Sequence, residues 1–276
     1  MLKRLLILVC LVVLYFPLSR WCHKQTHGFT ITGITQQHRG TLSQVAYDPE
    51  VFAQPYHYLG YGAQAFVFAS ADGKYVIKFL KQKRHQIPLW VKLLPHTSTY
   101  ERYARKKGRK KARELAGYEM ALSELQKETQ LVMLHYKRST NLPHLQLTDP
   151  LNIQHEIDLN RTDFIVQRRA QMIYPTIEAM FSQGKQEDVK KVIHSLCQNI
   201  VSRCKKGIHD RDPNIGTNMG VIGTDVVQID LGKLVPRENI DCQEELMRAI
   251  APFQEWTMRC HPELTSMLQT ELELRK

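Results

Sequence analysis

Hydrophobic and polar positions change their rhythm several times along this chain, and each change predicts an element. Leu5–Leu18 carries no charge; Lys3 and Arg4 precede it, and Arg20 and Trp21 follow. A bilayer-spanning helix takes about 20 residues, so residues 1–22 are expected to form a membrane anchor. A secretory signal peptide needs small residues at its cleavage site, and Ser19-Arg20-Trp21-Cys22 is too bulky. His23–Pro55 is polar and reads as a juxtamembrane linker. From Tyr58 to Leu80 the pattern is strand, glycine turn, strand, Asp72-Gly73 turn, strand. Ala112–Leu134 predicts a helix, because Leu115, Tyr118, Leu122 and Leu125 recur at spacings of three and four. Leu145–Ile153 and Phe164–Arg168 predict strands, and Met172–Ser182 a helix. Glu187–Cys204 predicts a stronger helix, striped by Val189, Val192, Ile193, Leu196 and Ile200. Gly207 stops it, after Arg203 and Lys205 at the end that favours cations. Met219–Ile222 and Val226–Ile229 are short and β-branched, split by Gly223-Thr224-Asp225, which predicts a hairpin. Beyond Lys233 the tail predicts one or two helices, punctuated by Pro236, Pro252 and Pro262.

Composition adds a core and a sign of charge. With 276 residues and a hydrophobic fraction of 43%, the chain can bury a core. A formal net charge of +11 points to anionic partners. Lys81–Arg113 is rich in Lys and Arg, and Ile87, Leu89, Trp90, Val91, Leu93 and Leu94 lie within it. That combination suits an anionic membrane surface; a solvated, partly helical insertion is the plainer alternative. Nucleic acid is not expected, since no reader fold or stacking platform is visible. The six cysteines form no C-x-x-C pair and no zinc spacing. They are expected to be structural thiols of a reducing compartment.

Candidate chemistry gathers in two places. Gly60 and Gly62 leave room for a backbone to approach a ligand, and the loop amides could cradle phosphate oxygens. Lys78 sits between Ile77 and Phe79 in an apolar strand, where an ammonium needs an anion. Glu114, Glu119 and Glu124 are candidate partners for it. An ordinary hairpin with a solvated lysine is the alternative. The second place is Gly207–Gly232. Asp210 and Asp212 lie in a polar loop, and Asp230 ends an apolar run. A hairpin between them returns the chain to its start, so the carboxylates and Asn218 can converge on a divalent metal, which favours oxygen ligands.

The order of these motifs, from Leu59 to Gly232, resembles the protein-kinase-like fold. The resemblance implies an α+β, two-lobed architecture: an N-lobe over 56–170 with a basic insertion at 81–113, and a short, mainly helical C-lobe over 171–276. It implies ATP and Mg2+ as cofactors. Gly60 and Gly62 match the first glycines of the phosphate loop, Ala65 stands at the third, and Val67 matches the valine that follows. Lys78 matches the lysine holding the α- and β-phosphates, with Glu119 as its partner and Glu114 in reserve. Asp210-Arg211-Asp212 stands for His-Arg-Asp, with Asp212 as the base and Asp210 as the alternative. Asn218 matches the metal-binding asparagine, one residue late, with Asn214 as the alternative. Asp230-Leu231-Gly232 stands for Asp-Phe-Gly, so Asp230 would bind magnesium. Positioning and charge neutralisation are what phosphoryl transfer requires. No Ala-Pro-Glu follows, and the short remainder suits a sugar, lipopolysaccharide or small-molecule kinase better than a conventional protein kinase. The expected acceptor is a hydroxyl of a protein, sugar or lipid. The alternatives are a catalytically silent kinase-like module that binds a nucleotide or partner, and an interaction protein with no nucleotide site. Because ATP is a cytosolic fuel, the expected placement is an N-terminal membrane anchor with a cytosolic catalytic domain.

Overall fold

A computed structural model describes residues 2–35, 46–95 and 97–275, and for residues 2–12 the backbone alone. In chain order the elements are α1 (Leu2–Thr26), α2 (Ile31–Ile34), α3 (Pro49–Phe52), β1 (Tyr56–Tyr61), β2 (Ala65–Ser70) and β3 (Tyr75–Leu80). Then come α4 (Leu89–Lys92), α5 (Ser98–Glu124), α6 (Gln126–Thr129), β4 (Leu131–His135), β5 (His144–Thr148), β6 (Gln154–Asp158) and β7 (Phe164–Arg168). The last part holds β8 (Gln171–Met172), α7 (Ile173–Ser182), α8 (Gln186–Lys205), β9 (Ile208–Asp210), α9 (Ile215–Asn218), β10 (Met219–Ile222), β11 (Asp225–Gln228), β12 (Leu234–Pro236), α10 (Cys242–Cys260) and α11 (Pro262–Glu273). The architecture is mixed α+β. The chain divides into two compact units, residues 1–86 with 135–165, and residues 87–134 with 166–276.

The first unit is built on strands in the order β3-β2-β1-β5-β6. β1, β2 and β3 run antiparallel, and β5 lies parallel to β1. Side chains alternate between the faces of a strand. In β2 and β3 this turns Phe66, Phe68, Ile77 and Phe79 to one face, all buried. Phe68 is at the centre of that layer, with Phe29, Tyr58 and Phe79 edge-on to it at 5.4, 5.5 and 5.7 Å. Edge-on contact is the favoured aromatic geometry. Phe29, Ile34, Val51 and Phe52 are buried as well, so much of the expected linker belongs to this core. Residues 36–45 of that linker lie outside the described residues.

The second unit packs around α8. Its stripe of Val189, Val192, Ile193, Leu196 and Ile200 is fully buried among side chains of α7, α10, α11 and the β10–β11 hairpin. Pro252 sits inside α10 instead of ending it. Leu246, Ala249, Ile250 and Phe253 continue one buried face across it, and that burial outweighs the lost hydrogen bond.

Two expectations need correction. α1 is helical, but among the described residues no helix is long and apolar enough to cross a membrane, which leaves the spanning anchor without support. The cysteines are not all thiols: Cys204 and Cys242 form a disulfide, with Cα atoms 5.6 Å apart. The end of α8 meets the start of α10 there, an adjacency that a sequence separation of 38 does not reveal.

Candidate active site

In the first unit, β1 and β2 enclose the glycine turn. The register slips between Tyr58 and Gly60, and the Gly62 amide donates to the Ala65 carbonyl at 2.9 Å. Lys81 and Arg84 hold the turn from below. Lys81 Nζ donates to the Gly62 carbonyl at 2.8 Å, and Arg84 Nη1 to the Ala63 carbonyl at 3.0 Å. Lys81 also lies over the Tyr61 and Phe66 rings, 4.9 and 4.3 Å from their centroids. Burial, then the charge of Arg84, lowers its pKa. A Cβ at Gly60 or Gly62 would meet nothing within 4 Å, so no protein atom forbids a side chain at either position. Lys78 lies opposite Val67 in the β2–β3 register, and Ala65 opposite Leu80 two steps along. Ala65, Val67 and Lys78 therefore share the sheet face opposite the Phe66–Phe68 layer.

In the second unit, the chain leaves α8 through Gly207, whose φ of +71° suits a residue without a Cβ. β9 then pairs with β12, setting Asp210 against Leu234. The β10–β11 hairpin closes through the pair Ile222–Asp225. Asn218, at the foot of the hairpin, joins its two ends. Its Nδ2 donates to the Asp212 carbonyl at 2.7 Å, and its own carbonyl accepts from the Ile229 amide at 2.7 Å. Gln228 is a second tie, since its Nε2 donates to Asp210 Oδ2 at 2.7 Å and to the Asp230 carbonyl at 3.2 Å. Asp210, Asp212, Asn218 and Asp230 are thus brought together. Asn214 is exposed.

The two loop aspartates differ. Asp210 is buried, and both oxygens are engaged: Oδ1 accepts from the Asp212 amide at 2.9 Å, and Oδ2 from Gln228. Burial pushes its carboxyl above the ordinary value, Arg203 opposes this, and Asp230 adds to the rise. The Asp212 side chain is 49% exposed, with Lys233 Nζ at 3.2 Å from Oδ2.

Beneath the loop lies a buried charge network. Arg203, 1% exposed, lies 3.6 Å from Asp210 Oδ2 and donates to Gln228 Oε1 at 2.7 Å and to Glu245 Oε1 at 3.1 Å. Glu245 also accepts from Arg248 Nη2 at 2.8 Å and from the Asp210 amide at 3.3 Å, and His209 Nδ1 is 3.0 Å away. Sequence reasoning missed this network. A signal existed: Arg203 falls three residues after Ile200, on the apolar stripe of α8, where a charge must find a partner.

α5 also reaches this loop. Its buried residues are Glu114, Gly117, Tyr118 and Ala121, one helical face. A Cβ on Gly117 would lie 2.7 Å from the Leu231 carbonyl oxygen, so the helix backbone rests against the Asp230-Leu231-Gly232 turn. Glu119 lies off this face and is exposed.

Among the described residues, no group of three His, Cys, Asp or Glu side chains could hold a metal ion. Asp230 and Asn218 instead offer two hard oxygen donors, Asn218 Oδ1 with one lone pair taken by the Thr217 hydroxyl at 3.0 Å. That set fits magnesium, which takes one or two carboxylates and completes its octahedron with water and substrate phosphates.

No protein-family model matches the sequence, and no curated protein matches it. Among solved structures, the bifunctional kinase-methyltransferase WbdD is 14% identical over 76% of this chain and 43% of its own, with a TM-score of 0.38. WbdD with the kinase inhibitor LY294002 is 14% identical over 78% of this chain and 45% of its own, at 0.37. The Rv3197–erythromycin complex from Mycobacterium tuberculosis is 10% identical over 80% and 55%, at 0.36. The chain spans less than half the length of these WbdD structures. Similarities this low decide neither fold nor chemistry, which rest on this chain's own residues.

Proposed function

We propose that this chain is a kinase-like phosphotransferase that moves the γ-phosphate of ATP to a hydroxyl acceptor. Asn218 carries the reading: its side chain fixes the Asp212 loop while its backbone carbonyl holds the Ile229 amide, next to Asp230. Asp212, half-exposed and free of the buried network, orients the acceptor hydroxyl and accepts its proton. Such a base is worth a factor of about 10²–10⁴ in rate. Lys233 holds the Asp212 carboxylate in place. Asp230 and Asn218 would hold magnesium, which when bound neutralises phosphate charge. Lys78 binds the α- and β-phosphates, and the Gly60–Gly62 turn covers them.

This reading sets aside two alternatives. Asp210 is not a base, because a buried carboxylate with both oxygens occupied has none to offer a hydroxyl; it holds the loop. Asn218 is preferred to the exposed Asn214. ATP supply favours a cytosolic domain, whereas the Cys204–Cys242 bridge favours an oxidising compartment. Protease protection in intact cells separates these placements.

Incubation with magnesium and labelled ATP, wild type beside Asp212→Asn, tests the reaction. Transfer or hydrolysis lost in the variant supports it. Nucleotide binding without turnover, across a panel of acceptors, would assign the chain to a silent binding module instead. Binding is read from thermal stability: ATP at about 100 times its Kd adds roughly 2.7 kcal/mol, a response that Lys78→Ala weakens and Asp212→Asn retains.

A further inference from the structure

The charge of this chain is concentrated. From Leu89 to Arg113 there are nine Lys and Arg residues against Glu101 alone, so this stretch carries +8 of the formal +11. It folds as α4 and the first half of α5. Arg102, Arg105, Lys106, Arg109 and Arg113 recur at spacings of three and four, which places them on one side of the helix, and all five are exposed. No described residue from Ser98 to Arg113 is buried; the buried face of α5 begins at Glu114.

α4 joins an apolar surface to this stripe. The Trp90 and Tyr103 rings meet edge-on at 5.7 Å, which fixes α4 beside α5. Val91 is buried, whereas Leu89, Trp90, Leu93 and Leu94 are 76, 54, 76 and 45% exposed. Four large apolar side chains within six residues, beside five exposed cations, form a surface with two requirements. One is negative charge; the other is removal of the leucines from water.

We propose that this face docks the second unit on an anionic phospholipid bilayer. Leu89, Trp90, Leu93 and Leu94 enter the boundary between head groups and acyl chains, and the α5 stripe lies on the anionic head groups. A bilayer meets both requirements at once. RNA would neutralise the stripe and leave Leu89 and Leu93 in water. The docking is independent of the reaction proposed above, since none of its residues belongs to either half of the candidate site.

The test is sedimentation of the full chain with vesicles of phosphatidylcholine, with and without phosphatidylserine. The readout is the difference between the two vesicle types, so charge-independent binding by any other part of the chain cancels. Anionic vesicles should bind about tenfold or more tightly than neutral ones, a difference that raised salt removes. Arg102→Glu/Arg105→Glu/Arg109→Glu should erase that difference. Leu89→Ser/Leu93→Ser should weaken anionic binding severalfold and abolish the blue shift of Trp90 fluorescence, assigned with Trp90→Phe. Both variants change exposed residues only, and an unchanged thermal midpoint verifies their folding. Equal binding to both vesicle types overturns the proposal, as does a triple variant that sediments like wild type. Failure to bind vesicles, together with RNA binding that survives the leucine changes, assigns the face to nucleic acid.

Discussion

Glu245→Ala probes the ground on which the acidic loop stands. The carboxylate is 3% exposed and meets Arg203, His209, Arg248 and the Asp210 amide. Its removal leaves the Arg203 guanidinium, 1% exposed, with Gln228 at 2.7 Å and Asp210 at 3.6 Å as its remaining partners. Taking one member from a buried ion pair costs about 3–5 kcal/mol, because the other charge stays out of water uncompensated. A domain of this size loses about 2–4 °C per kcal/mol, so the thermal midpoint should fall by roughly 6–20 °C. Urea unfolding should give the same loss with an unchanged slope. Arg203→Met in the Glu245→Ala background removes the stranded charge and should restore about 1 kcal/mol or more. Acid should narrow the gap between wild type and Glu245→Ala. Burial pushes the Glu245 carboxyl up, but the hydrogen bond and charge of Arg248, then Arg203, outweigh it and hold the pKa below its ordinary 4.5. The stabilisation is therefore complete above pH 4.5 and is lost as pH falls through the lower folded value. A loss below about 1 kcal/mol, or a double variant that loses the sum of both singles, would refute the reasoning.

Reduction of the Cys204–Cys242 bridge, or Cys242→Ser, frees a loop spanning 38 residues and should cost about 4 kcal/mol, read as a lower urea midpoint. Gly60→Ala places a methyl group in open space and needs no left-handed backbone, so stability should hold or rise by about 0.4–1 kcal/mol. ATP affinity should fall in the same variant; unchanged affinity would remove the turn from the nucleotide site. Gly117→Val meets the Leu231 carbonyl and should lower the melting midpoint and ATP turnover together, whereas turnover at the wild-type level would show that α5 does not set the turn.

The second unit was largely legible because its elements announce themselves locally. The β-branched runs around Gly223 gave the hairpin, displaced by one residue only where Ile222 pairs with Asp225. The period of α8 gave a helix and its stop. What pattern could not give was who meets whom. Arg203 reads as a cation suited to a helix end, yet it serves Glu245, 42 residues later. The disulfide depends on the same α8–α10 meeting. Helix α5 begins at Ser98, not Ala112, because its first half carries charge where the apolar repeat would show. The expected Leu145–Ile153 strand is β5 as far as Thr148 and then a turn into β6, where Asp149 Oδ1 accepts from the Leu151 and Ile153 amides. The glycine hairpin and Lys78 were found where the alternation put them, but Lys81 and Arg84 were read only as surface charge.

At 27 residues, α5 is a rod about 40 Å long. Gly117 rests on the Leu231 carbonyl, and Arg102 lies about 22 Å farther along the axis. A tilt of about 5° about that fulcrum displaces the cationic end by about 2 Å and, in return, bears on the Leu231 peptide. Whatever grips the outer end of this lever exerts torque on the turn that presents Asp230.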